Sequence, residues 1–332
     1  MMTTTIAHTR PKTLVELLAM VQPDMEQVEA RMRETSLAEN EALHHAIDYL
    51  ITAGGKRVRP AMTLLAGHML GAPRGPIAYL GAALEMLHTA SLVHDDLIDG
   101  ALLRRGQATL NTQWNASATV LAGDFLFGRA ADLAAQTDNV AVMRSFARTL
   151  MTMVNGELNQ MFNGRGHPTR DGYFQRIFGK TGSLFVTAAE GPAFLSGATP
   201  AVATAMATYG REVGIAFQIM DDILDFTADA SHLGKPVGSD LRQGLFTLPA
   251  LLYLEDRPDD PNVAALLDGR AGDPALVAHV VDSVRASGAI QGALDEARTY
   301  VARGVAALSI APDNEYRQAL VDLAIAFVTR DL

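Results

Sequence analysis

Apolar residues recur along this chain at spacings of three and four positions, and alternating β-branched runs are scarce. One such series is Leu14, Leu17, Leu18 and Val21. This spacing places the apolar side chains on one face of an α-helix. Clusters of glycine and proline fall between the periodic segments, where helices are expected to end. The pattern predicts an all-α protein of about a dozen helices with short connections and no strand.

Two segments are apolar around almost their whole circumference, Ile77 to Val93 and Ala203 to Leu224. Helices of this kind lie at the centre of a bundle, with amphipathic helices packed around them. No break is long and polar enough to be a linker between domains. We therefore expect residues 1–332 to form a single all-α domain, with residues 1–12 as a polar lead-in.

Composition narrows the class of protein. The chain has 332 residues, 48% of them hydrophobic, which excludes a disordered or low-complexity protein. The net charge of −10 argues against nucleic acid as a partner. There is no cysteine, which excludes disulfides and thiolate metal ligands. Because no apolar run reaches the roughly 20 residues of a membrane-spanning helix, we expect a cytoplasmic protein with at most peripheral membrane contact.

A short acidic motif occurs twice, each time near the end of an apolar segment. Its aspartates occupy positions i, i+1 and i+4, and the two sets are Asp95, Asp96 and Asp99, and Asp221, Asp222 and Asp225. On a helix, positions i and i+4 share a face, while position i+1 lies about 100° away. Like charges clustered on an apolar helix are costly unless cations compensate them. Carboxylate oxygens without thiolates suit Mg²⁺, which also binds substrate phosphates.

Basic residues accompany the acidic motifs and predict an anionic ligand. The turn from Gly54 to Pro60 contains Lys56, Arg57 and Arg59 just before a predicted helix, where backbone N–H groups and cations favour a phosphate. Other basic and polar residues follow the first acidic motif or lie on and beside the apolar helices: His88, Arg104, Arg105, Lys180, Thr181, Gln218 and Lys235.

In this combination the chain resembles the trans-polyprenyl diphosphate synthases, a branch of the isoprenyl diphosphate synthase family. The resemblance extends from Gly54 to about Leu251 and rests on the order GGKRVRP, HDDLID, RRG, GKTGSLF, MDDILD and GKPVGSD. It implies the isoprenoid synthase fold, a bundle of long α-helices around a central cavity, and a homodimer. It also implies a prenyltransferase that condenses isopentenyl diphosphate head-to-tail onto an allylic diphosphate.

The resemblance assigns a role to each candidate residue. The Mg²⁺ ligands would be Asp95, Asp96, Asp99, Asp221, Asp222 and Asp225. Isopentenyl diphosphate would be bound by Lys56, Arg59, His88 and Arg105. The allylic diphosphate would be bound by Arg104, Lys180, Thr181, Gln218 and Lys235. The residues expected to act directly in catalysis are Asp95, Asp96, Asp99, Asp221, Asp222, Arg104, Lys180 and Lys235.

One position departs from the family pattern. Many relatives have a lysine after the glycine of the last motif, where this chain has Leu245 and then Phe246. Other long-chain members vary at the same place, so the departure removes one anion contact and leaves the predicted reaction unchanged.

Product length is expected to depend on residues that precede the first acidic motif on its helix. Ser91 and Ala90, four and five positions before Asp95, are small, whereas family members with short products commonly have an aromatic residue there. One helical turn rises about 5.4 Å, roughly one isoprene unit. We therefore expect a tail tunnel lined by Ala90, Ser91 and Leu87, and a heptaprenyl to decaprenyl product of the kind used as a quinone side chain.

Several alternatives remain open from the sequence alone. A short-chain farnesyl or geranylgeranyl diphosphate synthase would share these motifs. A terpene cyclase has no need of the GGKRVRP turn, and a non-catalytic synthase subunit usually lacks an acidic motif. From another class, a di-iron carboxylate protein uses a Glu-x-x-His spacing twice. That spacing occurs at Glu41 and His44 and at Glu85 and His88, with Glu157 and Glu190 as further candidates, but it leaves both acidic motifs unexplained.

Overall fold

The structure, a computed structural model, describes residues 10–34, 40–104, 106–163, 168–227 and 237–329. The first half of the chain forms two short strands and eight helices, whose bounds are α1 Leu14–Met20, α2 Gln22–Arg33, α3 Glu41–Thr52, α4 Val58–Leu70, α5 Arg74–Ile98, β1 Leu103–Arg104, β2 Gln107–Ala108, α6 Leu110–Gln113, α7 Ala116–Ala135 and α8 Val140–Asn163.

The second half continues with helices alone over its described residues. Their bounds are α9 Arg170–Ile177, a π-helix Phe178–Gly182, α10 Ser183–Leu195, α11 Pro200–Thr227, α12 Ser239–Arg242, α13 Leu248–Asp256, α14 Pro261–Leu267, a 3₁₀ turn Arg270–Gly272, α15 Pro274–Ala286, α16 Ala289–Ala307, a 3₁₀ turn Leu308–Ile310 and α17 Glu315–Val328. The all-α prediction is confirmed. A dozen helices is too few, because four-residue helices such as α6 are too short to show a period.

The two long helices α5 and α11 form the centre of the bundle, as their apolar composition predicts. Helix α5 packs against α2, α4 and α7, and α11 packs against α10 and α16. Most side chains of α5 between Ile77 and Ala90 are fully buried. Both helices end at an acidic motif. The burial that holds these helices in place therefore also fixes where the two sets of aspartates emerge.

Glycine allows α10 and α11 to approach each other closely. A Cβ atom on Gly210 of α11 would lie 2.3 Å from the backbone oxygen of Phe185 in α10. Such a contact is far shorter than a van der Waals separation, so a larger residue would push the helices apart. This close approach holds the π-helix, which leads directly into α10, against the middle of α11.

A small β-hairpin follows the first acidic motif, so the prediction of no strand was wrong. Leu103 pairs with Ala108, and Arg104 pairs with Gln107, in an antiparallel ladder. Gly106 in the turn has a φ of 77°, a conformation that glycine adopts without strain. Strands of two residues are too short for an alternating pattern, which explains why the sequence did not reveal them.

Within the described residues, no helix combines the length and the apolarity needed to cross a bilayer.

Candidate active site

A cavity of about 760 Å³ lies beside the ends of α5 and α11 and contains most of the predicted site residues. Its wall also includes the turn before α4, the π-helix and the segment from Asp240 to Thr247. The predicted residues at this wall are Lys56, Arg59, His88, Ser91, Asp95, Asp99, Arg104, Lys180, Thr181, Gln218, Asp221 and Asp222. Residues far apart in the sequence therefore share one space, as the predicted substrate site requires.

The first acidic motif divides between two faces of α5. Asp95 and Asp99, one helical turn apart, line the cavity. Asp96 is not among the described residues that line it, and its carboxylate is buried against Arg104. The Nη2 and Nε atoms of Arg104 lie 2.6 Å and 2.8 Å from Asp96 Oδ1. The structure thus places Asp96 as the partner that holds Arg104 at the cavity edge.

The second acidic motif is arranged differently, because its adjacent aspartates Asp221 and Asp222 line the cavity while Asp225 does not. Asp225 accepts hydrogen bonds of 2.8 Å and 3.2 Å from the hydroxyl and backbone N–H of Ser239, and one of 3.2 Å from the backbone N–H of Asp240. These bonds fix the start of α12. The geometry assigns Asp225 to holding the start of α12 beside α11.

Asp222 is held by two neutral donors. The Tyr173 hydroxyl donates a 2.7 Å hydrogen bond to Asp222 Oδ2, and Gln218 Nε2 donates a 2.9 Å bond to Oδ1. Gln218 in turn accepts a 2.7 Å bond from the Thr181 hydroxyl. This chain of hydrogen bonds fixes the carboxylate without giving it a positive partner.

Two of the cavity aspartates, Asp222 and Asp95, have raised pKa values because burial disfavours their charged forms. Burial raises the pKa of Asp222, and the neighbouring Asp240 carboxylate adds to the shift. Burial also raises the pKa of Asp95, where Lys180 only partly opposes the effect. Added positive charge would favour the ionised forms of both groups.

Lys180 and Thr181 enter the cavity from the π-helix, a rare element that often occurs at functional sites. The Lys180 ammonium lies 3.2 Å from Asp95 Oδ2 and 3.4 Å from Glu157 Oε2. Burial lowers the pKa of Lys180, but the Asp95 and Glu157 charges outweigh it and the net shift is upward. Lys180 is therefore a fixed cation between α5 and α8.

The glycine-led turn before α4 brings all three of its cations, Lys56, Arg57 and Arg59, to the cavity. Lys56 and Arg59 line the wall, and the Arg59 guanidinium lies 5.3 Å from the centre of the Phe185 ring. His88 of α5 lies at the same wall. Lys56, Arg59 and His88 form a basic side of the cavity. They are far from the second acidic motif in the sequence, but both sets border the same space.

The donor set fits Mg²⁺ by its chemistry. The cavity offers the oxygen atoms of Asp95, Asp99, Asp221 and Asp222. A nearby cation would stabilise the ionised forms of Asp95 and Asp222, whose pKa values are raised. No group of three or more histidine, aspartate or glutamate side chains in the described ranges is close enough to enclose a metal by itself.

Comparison with known proteins identifies the family. The Polyprenyl synthetase family model matches residues 40–284. The chain belongs to the polyprenyl synthetase family. It is 40% identical over 278 residues to the all-trans-nonaprenyl-diphosphate synthase (geranyl-diphosphate specific) of Rhodobacter capsulatus, covering 83% of this chain and 85% of that protein. It is 33% identical over 310 residues to the octaprenyl diphosphate synthase of Escherichia coli, covering 93% and 96%.

The fold of this family member is shared with solved relatives. A polyprenyl synthase from Caulobacter crescentus, crystallised with calcium and isoprenyl diphosphate, matches with a TM-score of 0.88 and 34% identity, over 97% of this chain and 99% of that chain. The predictions of the isoprenoid synthase fold, of a prenyltransferase and of a long-chain trans-polyprenyl diphosphate synthase are confirmed.

The predicted tail-tunnel residues of this polyprenyl synthetase lie in different surroundings. Ser91 lines the cavity together with Leu92. Ala90 and Leu87 have no exposed surface and are not among the described lining residues. The positions nearest Asp95 therefore border the open space, whereas those deeper on α5 are enclosed by neighbouring helices. Two predicted substrate contacts, Arg105 and Lys235, lie outside the described residues.

The di-iron alternative finds no support in the geometry. The side chain of Glu41 is 92% exposed and lies 3.7 Å from His45 on the surface of α3. Glu85 is buried beside the cavity, on α5. The two Glu-x-x-His pairs are therefore on separate faces of the synthetase, in contrast to the shared interior that a di-iron site needs.

Sequence reasoning missed Arg176 and Asp240, which line the cavity, and Tyr173, which bonds to Asp222. It named Glu157, which lies 3.4 Å from Lys180, only for the di-iron alternative. Tyr173, Arg176 and Lys180 are spaced by three and four positions, so a search outward from Lys180 along one helical face would have found the first two. Arg176 donates a 3.1 Å bond to the backbone oxygen of Phe246. Its guanidinium thus stands beside the position where many relatives have a lysine and this chain has Leu245.

Proposed function

We propose that this enzyme condenses isopentenyl diphosphate head-to-tail onto an allylic diphosphate at the cavity between α5 and α11. The observation that carries this proposal is that Asp95 and Asp99 of one helix and Asp221 and Asp222 of the other border the same space, with Lys180 at 3.2 Å from Asp95. Two carboxylate sets around one cavity are the arrangement needed to bind a diphosphate through Mg²⁺.

In this proposal Asp95, Asp99, Asp221 and Asp222 hold Mg²⁺. The metal supplies positive charge where negative charge develops on the departing pyrophosphate. Asp96 and Asp225 act indirectly, because the first holds Arg104 and the second holds the start of α12.

The cationic side chains divide between the two substrates. Lys56, Arg59 and His88 bind the diphosphate of isopentenyl diphosphate, with Arg105 as a further contact. Arg104, Lys180 and Lys235 bind the allylic diphosphate, together with Thr181 and Gln218. Arg176, at the wall beside Asp222, adds a cation to the allylic side. Fixed cations aimed at the leaving group lower the barrier to its departure.

The reaction breaks the bond between the allylic carbon and its diphosphate oxygen. The isopentenyl double bond then attacks the resulting allylic cation, and a new carbon–carbon bond forms. One proton leaves the isopentenyl unit, and the released pyrophosphate accepts it. Leu92 and Phe217 at the wall exclude water near the cation, which protects it from hydrolysis.

The product is a long chain of heptaprenyl to decaprenyl length, suited to a quinone side chain. The small Ser91 at the cavity wall, one turn before Asp95, supports this length because it leaves the path along α5 open. The relatives at 40% and 33% identity are named nonaprenyl and octaprenyl diphosphate synthases, which supports the same range.

A homodimer is part of this proposal, supported by an apolar surface on α8. Met151, Val154, Leu158, Met161 and Phe162 follow a helical spacing of three and four and are all exposed, Phe162 to 77%. A stripe of large exposed apolar side chains marks an interaction surface. Leu121 of α7, a helix that packs against α8, is also a large exposed apolar residue.

Three further points remain part of the proposal. The chain folds as one unit over residues 1–332, it is cytoplasmic, and it touches membranes only peripherally when its apolar product leaves. The lack of cysteine supports a location where disulfides are not needed.

The test is a condensation assay with the purified lone chain. Radiolabelled isopentenyl diphosphate, Mg²⁺ and geranyl, farnesyl or geranylgeranyl diphosphate are supplied in turn, and the dephosphorylated product is sized by chromatography. We expect products of seven to ten isoprene units, and loss of activity when a chelator removes the metal. Products that stop at three or four units would overturn the long-chain assignment, and absence of any condensation would overturn the function.

A further inference from the structure

The middle cation of the GGKRVRP turn, Arg57, has a backbone conformation that is rare for a residue with a side chain. Its φ is 47° and its ψ is 34°, in the left-handed region, at the position that begins α4. This conformation is unfavourable for an arginine and persists where the surroundings determine it. The contacts of the Arg57 side chain show what those surroundings are.

The Arg57 guanidinium is engaged on all its nitrogen atoms. Nη2 donates a 2.8 Å bond to the backbone oxygen of Ile51, Nη1 donates a 2.9 Å bond to Glu85 Oε1, and Nε lies 3.4 Å from Glu29 Oε1. The bond to Ile51 closes the turn on itself. The bond to Glu85 ties the turn to α5. Arg57 borders the cavity, yet its donors point into the protein.

Glu85 is an expensive residue to bury, which makes its position informative. Its side chain is 6% exposed, and Oε2 is buried without a hydrogen-bond partner in the part of the chain that the structure describes. A buried ion pair with an incomplete set of hydrogen bonds contributes little net stability. The ion pair is better explained by the geometry that it imposes, because it holds the turn before α4 against α5 at the position of Glu85.

The position of Glu85 along α5 matters for the active site. Glu85 lies one turn before His88 on α5, and Asp95 follows about two turns later. On the other side of the pair, Arg57 lies between Lys56 and Arg59. The ion pair therefore sets the distance between the turn that carries Lys56 and Arg59 and the helix that carries the first acidic motif.

We propose that Arg57 and Glu85 form a positioning pair that places Lys56 and Arg59 for binding isopentenyl diphosphate, without touching the substrate themselves. This inference rests on the proposed function, because it assigns the pair to one of the two substrates. Since the allylic diphosphate is bound by Arg104, Lys180 and the acidic motifs, the pair affects one Michaelis constant and leaves the other unchanged.

The experiment compares Arg57→Gln, Glu85→Gln and the double variant in steady-state kinetics. A small displacement of binding groups costs up to about a hundredfold, so each single variant should raise the KM for isopentenyl diphosphate roughly ten- to hundredfold. The KM for the allylic diphosphate should not change. Because both changes remove one interaction, the double variant should be no worse than the poorer single variant. Arg57→Lys, which keeps a charge, should recover part of the loss.

Two controls separate the ion pair from other effects. Glu29→Gln alters the exposed partner of the same guanidinium and should leave both Michaelis constants unchanged. Arg57→Gly removes the side chain but keeps a residue that adopts the left-handed turn easily, and it should be as impaired as Arg57→Gln. Full activity of Arg57→Gly would show that the turn alone is sufficient and would overturn the inference.

The outcomes distinguish this inference from the proposed function. If Arg57 bound the diphosphate directly, Glu85→Gln would leave the KM for isopentenyl diphosphate unchanged, and the two substitutions would not be coupled. If the pair only stabilised the fold, the melting temperature would fall while both Michaelis constants stayed constant. Either result overturns the positioning role in an enzyme that still condenses its substrates. Failure of the wild-type chain to condense them overturns the function itself.

Discussion

The hydroxyl of Tyr173 donates a 2.7 Å hydrogen bond to Asp222 Oδ2 in the interior of the protein. Tyr173 is on α9, and Asp222 belongs to the acidic motif on α11. A hydrogen bond to an ionised group, as Asp222 would be with Mg²⁺ bound, contributes about 1.5–3 kcal/mol, more than one between neutral groups. The bond therefore joins the second acidic motif to an element that carries no acidic motif of its own.

Removal of this hydroxyl should weaken catalysis while the fold persists. In Tyr173→Phe the Asp222 carboxylate loses a donor, and we expect kcat to fall by roughly ten- to hundredfold, which corresponds to the value of such a bond. The dependence of rate on Mg²⁺ concentration, measured by steady-state kinetics, should shift to higher concentrations. Tyr253→Phe is the matched control, because that hydroxyl donates a 2.6 Å bond to Asp260 away from the cavity. Equal kinetics for both variants would contradict the assignment.

The charge of Lys180 should be needed for the chemical step. Lys180→Met leaves Asp95 and Glu157 without the ammonium that now lies between them. Removing one group that stabilises developing charge typically costs about 10²- to 10³-fold in kcat. Lys180→Arg keeps the charge and should retain more activity than Lys180→Met. Lys12 lies outside the cavity, so Lys12→Met should behave as the wild type. Single-turnover rates provide the measurement, and a normal rate for Lys180→Met would exclude the role.

Product length should respond to the size of residue 91. Ser91 lines the cavity one turn before Asp95, so Ser91→Phe should block the path along α5 and shorten the product, with condensation of the first units retained. Chromatography of the dephosphorylated products measures the change. Ala90→Tyr should also shorten the product if the tunnel follows that side of α5, although Ala90 is fully enclosed and the larger side chain should lower the melting temperature. An unchanged distribution for both variants would exclude this tunnel.

The apolar surface of α8 should hold two chains together. Met151 is 60% exposed in the monomer, and Met151→Glu would place a charge within the proposed interface, where an unpaired charge is unfavourable. Sedimentation velocity should then show a shift from dimer to monomer. Ile310→Glu is the control at an exposed apolar residue of similar accessibility outside α8. A wild-type chain that sediments as a monomer would refute the dimer.

A half-buried glutamate away from the cavity, Glu190, should make stability depend on pH. Burial raises the pKa of Glu190, opposed by a 2.5 Å hydrogen bond from the Ser145 hydroxyl and by the charge of Arg148. The folded state therefore binds more protons than the unfolded chain above the ordinary glutamate pKa of 4.5, and the free energy of unfolding falls as pH rises through the raised value.

Glu190→Gln removes this titration while keeping an oxygen that accepts from Ser145. The melting temperature of the variant minus that of the wild type should therefore increase as pH rises from about 4 to about 8. A difference that is constant across this range would contradict the raised pKa.

The sequence predicted which aspartates share one face of a helix. It could not predict how a helix is rotated against its neighbours. Asp95 and Asp99 share a face by their spacing alone, and both line the cavity. Periodicity could not show that Asp222 rather than Asp225 would join Asp221 there, because that depends on the rotation of α11 against its neighbours. The hydrogen bonds from Ser239 that hold Asp225 come from a segment with no helical period of its own.

Spacing along one helical face could have pointed to Tyr173, but it could not show which groups Tyr173 and Arg57 contact. Tyr173 belongs to no acidic or basic motif, and its bond to Asp222 depends on how α9 packs beside α11. Arg57 looked like a third phosphate-binding cation in a basic turn. Its left-handed backbone directs the guanidinium to Glu85, and no spacing rule predicts that.

The π-helix from Phe178 to Gly182 has a consequence for how this site could change over generations. A π-helical turn contains one residue more than an α-helical turn, and each residue of a helix advances it by about 100°. Deleting one residue here would close the wide turn to an α-helical one and leave the flanking helices nearly in phase, but it would redirect the side chains on the turn itself, Lys180 and Thr181. The surplus residue therefore sets the direction of these two cavity side chains, and a lineage that lost it would have to supply the cation beside Asp95 from another position.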